Sequence, residues 1–131
     1  MESIDEKRQW HYVEELIDRS DKEGIREFFD KAGSDEIAHI LSHLNNDQRV
    51  RLVELQTPLQ TAEMIEELHE SYSYGLLEQL SVEKTAAIIG ELKSNDPADI
   101  LGDFNEEDAR AVMDQMDNDE AADLRKLIGY R

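Results

Sequence analysis

From Asp35 onwards, apolar and polar positions recur with a period of twelve residues. The chain divides without gaps into DEIAHILSHLNN, DQRVRLVELQTP, LQTAEMIEELHE, SYSYGLLEQLSV, EKTAAIIGELKS, NDPADILGDFNE, EDARAVMDQMDN and DEAADLRKLIGY. The sixth column reads Ile40, Leu52, Met64, Leu76, Ile88, Ile100, Val112 and Leu124, all apolar. The seventh is apolar except at Arg125, and the tenth except at Gln56, where neighbouring Leu55 is expected to substitute. The fourth holds Ala38, Ala62, Ala86, Ala98 and Ala122. Positions 4, 6, 7 and 10 share one face of an α-helix, and strand alternation fits no unit. Columns 5 and 8 are expected to face solvent.

Each unit therefore predicts a helix of about eight or nine residues and a short polar turn. Such a helix is only ~13 Å long. It falls below the ~12–15 residues needed for marginal stability alone, so it persists only by packing its stripe against neighbours. Alanines in column 4 permit close approach. Asn46, Ser81, Asn105 and Asn118 are the expected N-caps. Pro97 after Asp96 suits a first turn, and Thr57-Pro58 marks a stop. Before the repeats, Trp10, Val13, Leu16 and Ile17 share one face of a helix over about residues 5–18. Ser20-Asp21-Lys22-Glu23 has capping-box spacing and opens a second helix carrying Ile25, Phe28 and Phe29, which Gly33-Ser34 ends.

The expectation is an all-α domain over residues 1–131: a helix pair in 1–34 and eight twelve-residue units in 35–131. About ten short helices, joined by turns too short for anything but antiparallel neighbours, stack into an α-solenoid that curves as a superhelix.

Composition narrows the chemistry. The 131 residues hold 32 Asp+Glu against 14 Lys+Arg, a net charge of -18, and no cysteine. Nucleic acids and anionic membrane surfaces would repel such a chain, so neither is expected as a partner. Divalent cations and basic protein surfaces are the plausible counterparts. Without cysteine there is no disulfide, thiolate nucleophile or Cys-zinc site. Residues 55–62 hold no Asp, Glu, Lys or Arg, and no such stretch in the chain approaches the ~18 apolar residues of a membrane span. The N-terminal residues lead into no hydrophobic run and do not read as a secretory signal.

No enzyme constellation emerges, so catalysis is not expected. The glycines form no dinucleotide or phosphate loop, and HExxH is absent. A calcium loop starting at Asp117 would have Ala122 for its glycine and Ile128 for its terminal glutamate. His39 and His43 are spaced i, i+4 as a metal pair would be, but columns 5 and 9 are polar in most units, which favours a solvated helix face. His11 and His69 suggest no partner. Met64, Met113 and Met116 fall in core columns and read as packing residues.

The acid surplus remains. Helices of alternating direction are expected to place Asp47, Glu70, Asp96, Asp117, Asp119 and Glu120 on one rim. Outward positions add Glu63, Glu66, Glu67, Glu78, Glu91, Asp99, Asp103, Asp114 and Asp123. A solvated, solubilising surface explains most such charge. Hydrated Mg2+ is the functional alternative, because it keeps several waters and takes only one or two carboxylates from a surface.

The segments DEIAHILSHL, TAEMIEELHE and KTAAIIGELKSNDPADILGDFNEEDARAVMDQMDNDEAADLRKLIGY resemble the cytosolic N-terminal domain of MgtE magnesium transporters. The resemblance covers the whole chain, including DKEGIREFF, and ends in the family's Leu-Arg-x-Leu-x-x-Tyr-like segment, here Leu124 to Tyr130. It implies a right-handed superhelix followed by a pair of CBS domains and a homodimeric membrane pore. The chain ends where CBS domains would begin, which suggests a fragment or a stand-alone module on the cytoplasmic face of the membrane. The resemblance further implies weak, regulatory Mg2+ binding through acids shared with the CBS domains of the same transporter. Glu63 matches one metal-site acid; the turn SNDPAD matches another, with Asn95 where an acid is expected, Asp96 beside it, and Asp99 near enough to act through water. The chain itself is not expected to insert into a membrane. A second resemblance, to the armadillo-like repeats of the flagellar motor-switch protein FliG, implies a metal-free protein scaffold instead.

Overall fold

The structure, a computed structural model, describes residues 4–68, 70–93 and 96–127, with the side chains of 4–8, 70–72, 96 and 127 outside the description. Every element among them is helical, which confirms the all-α class. The chain separates into two compact units, Met1–Leu68 and His69–Arg131.

The first unit holds α1 (Ile4–Asp18), α2 (Lys22–Lys31), α3 (Ser34–His43), α4 (Asn46–Glu54) and α5 (Pro58–Glu66). α1 is its spine and packs on α2, α3 and α4. Val13, Leu16 and Ile17 of α1 are buried, and with Ile25, Ile37, Ile40, Leu52 and Ile65 they form an aliphatic core. Trp10 stays half-buried at its edge. The second unit holds α6 (Glu70–Leu77), α7 (Val82–Ile89), α8 (Asp96–Gly102), α9 (Glu106–Asp114) and α10 (Asn118–Leu127). Here α6 packs on α8, α7 on α9, and α10 on both α8 and α9. No helix of the second unit exceeds ten residues, so each depends on the stripe it shares with its neighbours.

Column 6 is buried in all eight units, and column 7 in all but Arg125, which instead pairs with Asp114 at 3.1 Å. Column 4 is a correction. Ala62, Ala86 and Ala98 are buried, but Arg110 and Ala122 are exposed. Column 3 is the better-buried one: Ile37, Thr61, Ser73, Thr85, Ala109 and Ala121 are all at 2% exposure or less. The reason is geometric. Columns 3, 6, 7 and 10 are related as i, i+3, i+4 and i+7, the centre of a helical stripe, and column 4 lies on its flank. Hydroxyl residues in column 3 hide the signal from a hydrophobicity count. They are tolerated because their hydroxyls are satisfied: Thr85 Oγ1 donates to the Leu77 carbonyl at 3.3 Å, and Thr61 Oγ1 to Gln56 Oε1 at 3.0 Å. Gln56 is therefore itself buried, at 5% exposure, and Leu55 does not replace it.

Several caps shift by one residue. Ser81 and Asn105 cap α7 and α9 as expected. Asn45, not Asn46, caps α4 in a capping box with Gln48, and Asp117, not Asn118, accepts at the start of α10 from the Asp119 amide. The box expected from Ser20 and Glu23 is replaced by Asp21, whose carboxylate accepts from the Gly24 amide. Ser20 instead takes the turn between α1 and α2 at φ 55, a conformation in which a non-glycine residue is uncommon. Thr57-Pro58 is a start as well as a stop, with Thr57 and Gln60 boxing the first turn of α5.

Candidate functional site

α5 begins at a well-formed cap, which fixes the phase of its outward face. Glu63, one turn further on, is exposed. Gln60, Glu63 and Glu67 are spaced i, i+3 and i+7 along one stripe and form one wall of a hollow of about 210 Å3 within the first unit. The opposite wall is the C-terminal half of α2, with Arg26, Phe29 and Asp30, and the floor includes Ile37, Gln56 and Met64. Glu67 is held by Ser34, whose hydroxyl donates to Oε2 at 2.8 Å. Asp30 is the acid that sequence reasoning missed. It lies outside the repeats, on a helix whose pairing with α5 across a hollow has no local signature.

The other two predicted ligands lie in the second unit. Asp99 is exposed on α8. Asp96 is the first residue of the same helix; its side chain and all of Asn95 lie outside the described residues. Asp96 and Asp99 are thus i, i+3 on one helix, and Glu63 belongs to another unit. Among the described residues no three His, Asp or Glu side chains gather into a metal cage. The donor chemistry nonetheless fits Mg2+, a hard cation that takes carboxylate oxygen, retains water and needs one or two protein ligands.

The expected acidic rim is more varied than the pattern suggested. Asp47 shares a hollow with Lys22, Arg51 and Glu54, and Arg51 donates to Ser20 Oγ at 2.7 Å, so acid and base are mixed there. Asp117 and Glu120 do meet other acids, Glu83 and Glu91, around a hollow of about 330 Å3 in the second unit. A Cβ at Gly90, in the lining of that hollow, would stand in ordinary contact with Glu120 Oε2 at 3.5 Å. Glu70 has no described side chain.

His39 and His43 are half-buried rather than on a solvated face, while His11 is exposed. Trp10 stacks on His11 at 3.8 Å and on His43 at 4.7 Å, and His43 meets His39 edge-on at 4.6 Å. His11 Nδ1 also lies 3.0 Å from Glu14 Oε1. The i, i+4 histidine pair therefore serves the α1–α3 packing. His69 and the segment Ile128 to Tyr130 lie outside the described residues. No described helix is long and apolar enough to cross a membrane.

A model of the MgtE intracellular N domain family matches residues 32–131. No curated protein matches the chain. Among solved structures, the soluble part of a magnesium transporter superposes with a TM-score of 0.81 at 17% identity, covering 96% of this chain and 50% of that one. The chain thus spans half the length of that structure, and at this identity the likeness shows the fold.

Proposed function

The chain belongs to the family of MgtE intracellular N domains, and on that premise we propose that it is a regulatory, Mg2+-sensing module on the cytosolic side of a magnesium transporter. The observation that carries the reading is the outward, unneutralised acid of the repeats: Glu63 and Asp99 are both exposed, in a chain of net charge -18. Residues 1–131 act in this proposal as one module, half of a binding surface whose other half comes from following CBS domains of the same transporter. Glu63, Asp96 and Asp99 contribute carboxylates to hydrated Mg2+ shared with that partner. Bound cation offsets the repulsion between the two acidic faces and draws them together, which closes the pore of the homodimer. When Mg2+ falls, the faces separate.

The isolated chain should retain a weak trace of this response. For a dissociation constant near ~1 mM, ~10 mM Mg2+ adds RT ln(11), about 1.4 kcal/mol, which raises the melting temperature by about 4–8 °C. NaCl at matched ionic strength removes simple screening from the comparison. Glu63→Gln with Asp96→Asn should reduce the excess of Mg2+ over NaCl. Coincident melting curves in the two salts would leave this chain without a Mg2+ site of its own and favour the metal-free scaffold reading.

A further inference from the structure

The hollow beside Glu63 has something a solvated acidic patch lacks, an aromatic ring in its lining. Phe29 is half-buried there, while Ile37 and Met64 beneath, at 1% and 3% exposure, offer almost no surface of their own. From Phe29 an aromatic run leads out of the hollow. Phe28 sits edge-on to it at 5.3 Å, and Tyr12 lies 5.9 Å from Phe28 with 49% of its surface in solvent. Asp30 and Glu63 are exposed residues of the lining, and among the described residues neither side chain has a hydrogen-bond or ion-pair partner. Arg26, also on the lining, lies 3.8 Å from Glu23 of its own helix.

We propose that this hollow docks an arginine side chain carried by a basic segment of a partner protein. A hydrated Mg2+ ion gains nothing from Phe29. A lysine ammonium is a compact, strongly hydrated charge and also uses the ring poorly. A guanidinium is planar and weakly hydrated, stacks on an aromatic ring, and bridges two carboxylates in its own plane. The guanidinium rests against Phe29, and Asp30 and Glu63 accept its hydrogen bonds from α2 and α5. Apolar residues beside that arginine meet Phe28 and Tyr12. The net charge of -18 attracts a basic segment to the chain, and Phe29 beside Asp30 and Glu63 selects this hollow. The proposal shares Glu63 with the Mg2+ reading and does not depend on it, because Phe29 matters to one ligand and not the other.

The test is an NMR titration of the chain with N-acetyl-arginine amide, with N-acetyl-lysine amide and MgCl2 in parallel at matched ionic strength. Arginine amide should saturate shifts at Phe29, Ile37 and Met64, at lower concentration than lysine amide. Asp30→Asn should weaken it by roughly tenfold, the worth of a charge-assisted hydrogen bond. Phe29→Leu should weaken it roughly two- to fivefold and leave the Mg2+-dependent rise in melting temperature unchanged. Equal midpoints for the arginine and lysine amides, shifts centred on the acids of the second unit, or full binding by Phe29→Leu would each overturn the proposal. Because the Mg2+ response is read separately, either reading can fail while the other stands.

Discussion

The two units bury the same stripe by different means. In the first, one fifteen-residue helix, α1, touches α2, α3 and α4. In the second, helices of seven to ten residues are held by a chain of pairings, α6 with α8, α7 with α9, and α10 with α8 and α9. A spine concentrates dependence on a few side chains, and serial stacking distributes it among neighbours. The family model's match, which begins at residue 32, leaves out the spine. The same period can therefore be stabilised against a long helix from outside the repeat or against its own copies.

Core truncation tests that contrast most strongly. Ile17→Ala in the spine and Ile88→Ala in α7, at 1% and 0% exposure, should each cost about 2–5 kcal/mol in urea denaturation. Hydrogen exchange separates them. Loss of Ile17 should lower protection across α2, α3 and α4 together, and loss of Ile88 should lower it mainly in α7 and α9. Uniform loss over the whole chain from Ile88→Ala would remove the distinction.

Glycines give the next largest effect, with opposite signs. At Gly24 a Cβ would meet Leu16 Cδ2 at 2.8 Å and Asp21 Oδ2 at 2.7 Å, where α2 turns back onto the spine. Gly24→Ala should therefore destabilise by about 1–3 kcal/mol. Gly75 lies within α6 with nothing near its missing Cβ. Gly75→Ala should stabilise by about 0.5–1 kcal/mol through helix propensity and a less disordered unfolded chain. Thermal melts of the two variants check both signs.

The smallest effect is confined to alkaline pH and to the second unit. The Tyr74 phenol is raised above its ordinary value of 10.0, first by desolvation, then by Glu78, with which it hydrogen-bonds, and by Asp108 and Asp103. Its ring also meets Phe104 edge-on at 5.0 Å. The folded state then holds this proton more tightly than the unfolded state does. The stability it contributes is complete below the unfolded pKa and is lost as pH rises through the folded one. Stability of the wild-type chain should fall more steeply above pH 10 than that of Tyr74→Phe, and parallel profiles would remove Tyr74 from the account.

Much of this was legible in the residues, because a twelve-residue period records local geometry. The ten described helices, the burial of column 6 and of column 7 except at Arg125, and the outward placing of Glu63 and Asp99 all follow from i, i+3 and i+4 spacing within one element. Cap positions were legible only to within one residue, since Asn45 and Asn46, or Asp117 and Asn118, are chemically alike as caps. Column 3 escaped notice because Thr61, Ser73 and Thr85 count as polar until their hydroxyls find acceptors inside the fold. What tertiary structure alone decided are the pairings between distant helices. The spacing of His39 and His43 does not reveal that Trp10 arrives from α1 to stack on His43. Nor does any repeat unit reveal that Asp30 and Phe29 of α2 face Glu63 of α5 across a hollow. Such contacts depend on how separate elements pack in space, and the period of one helix carries no information about which others will stand beside it.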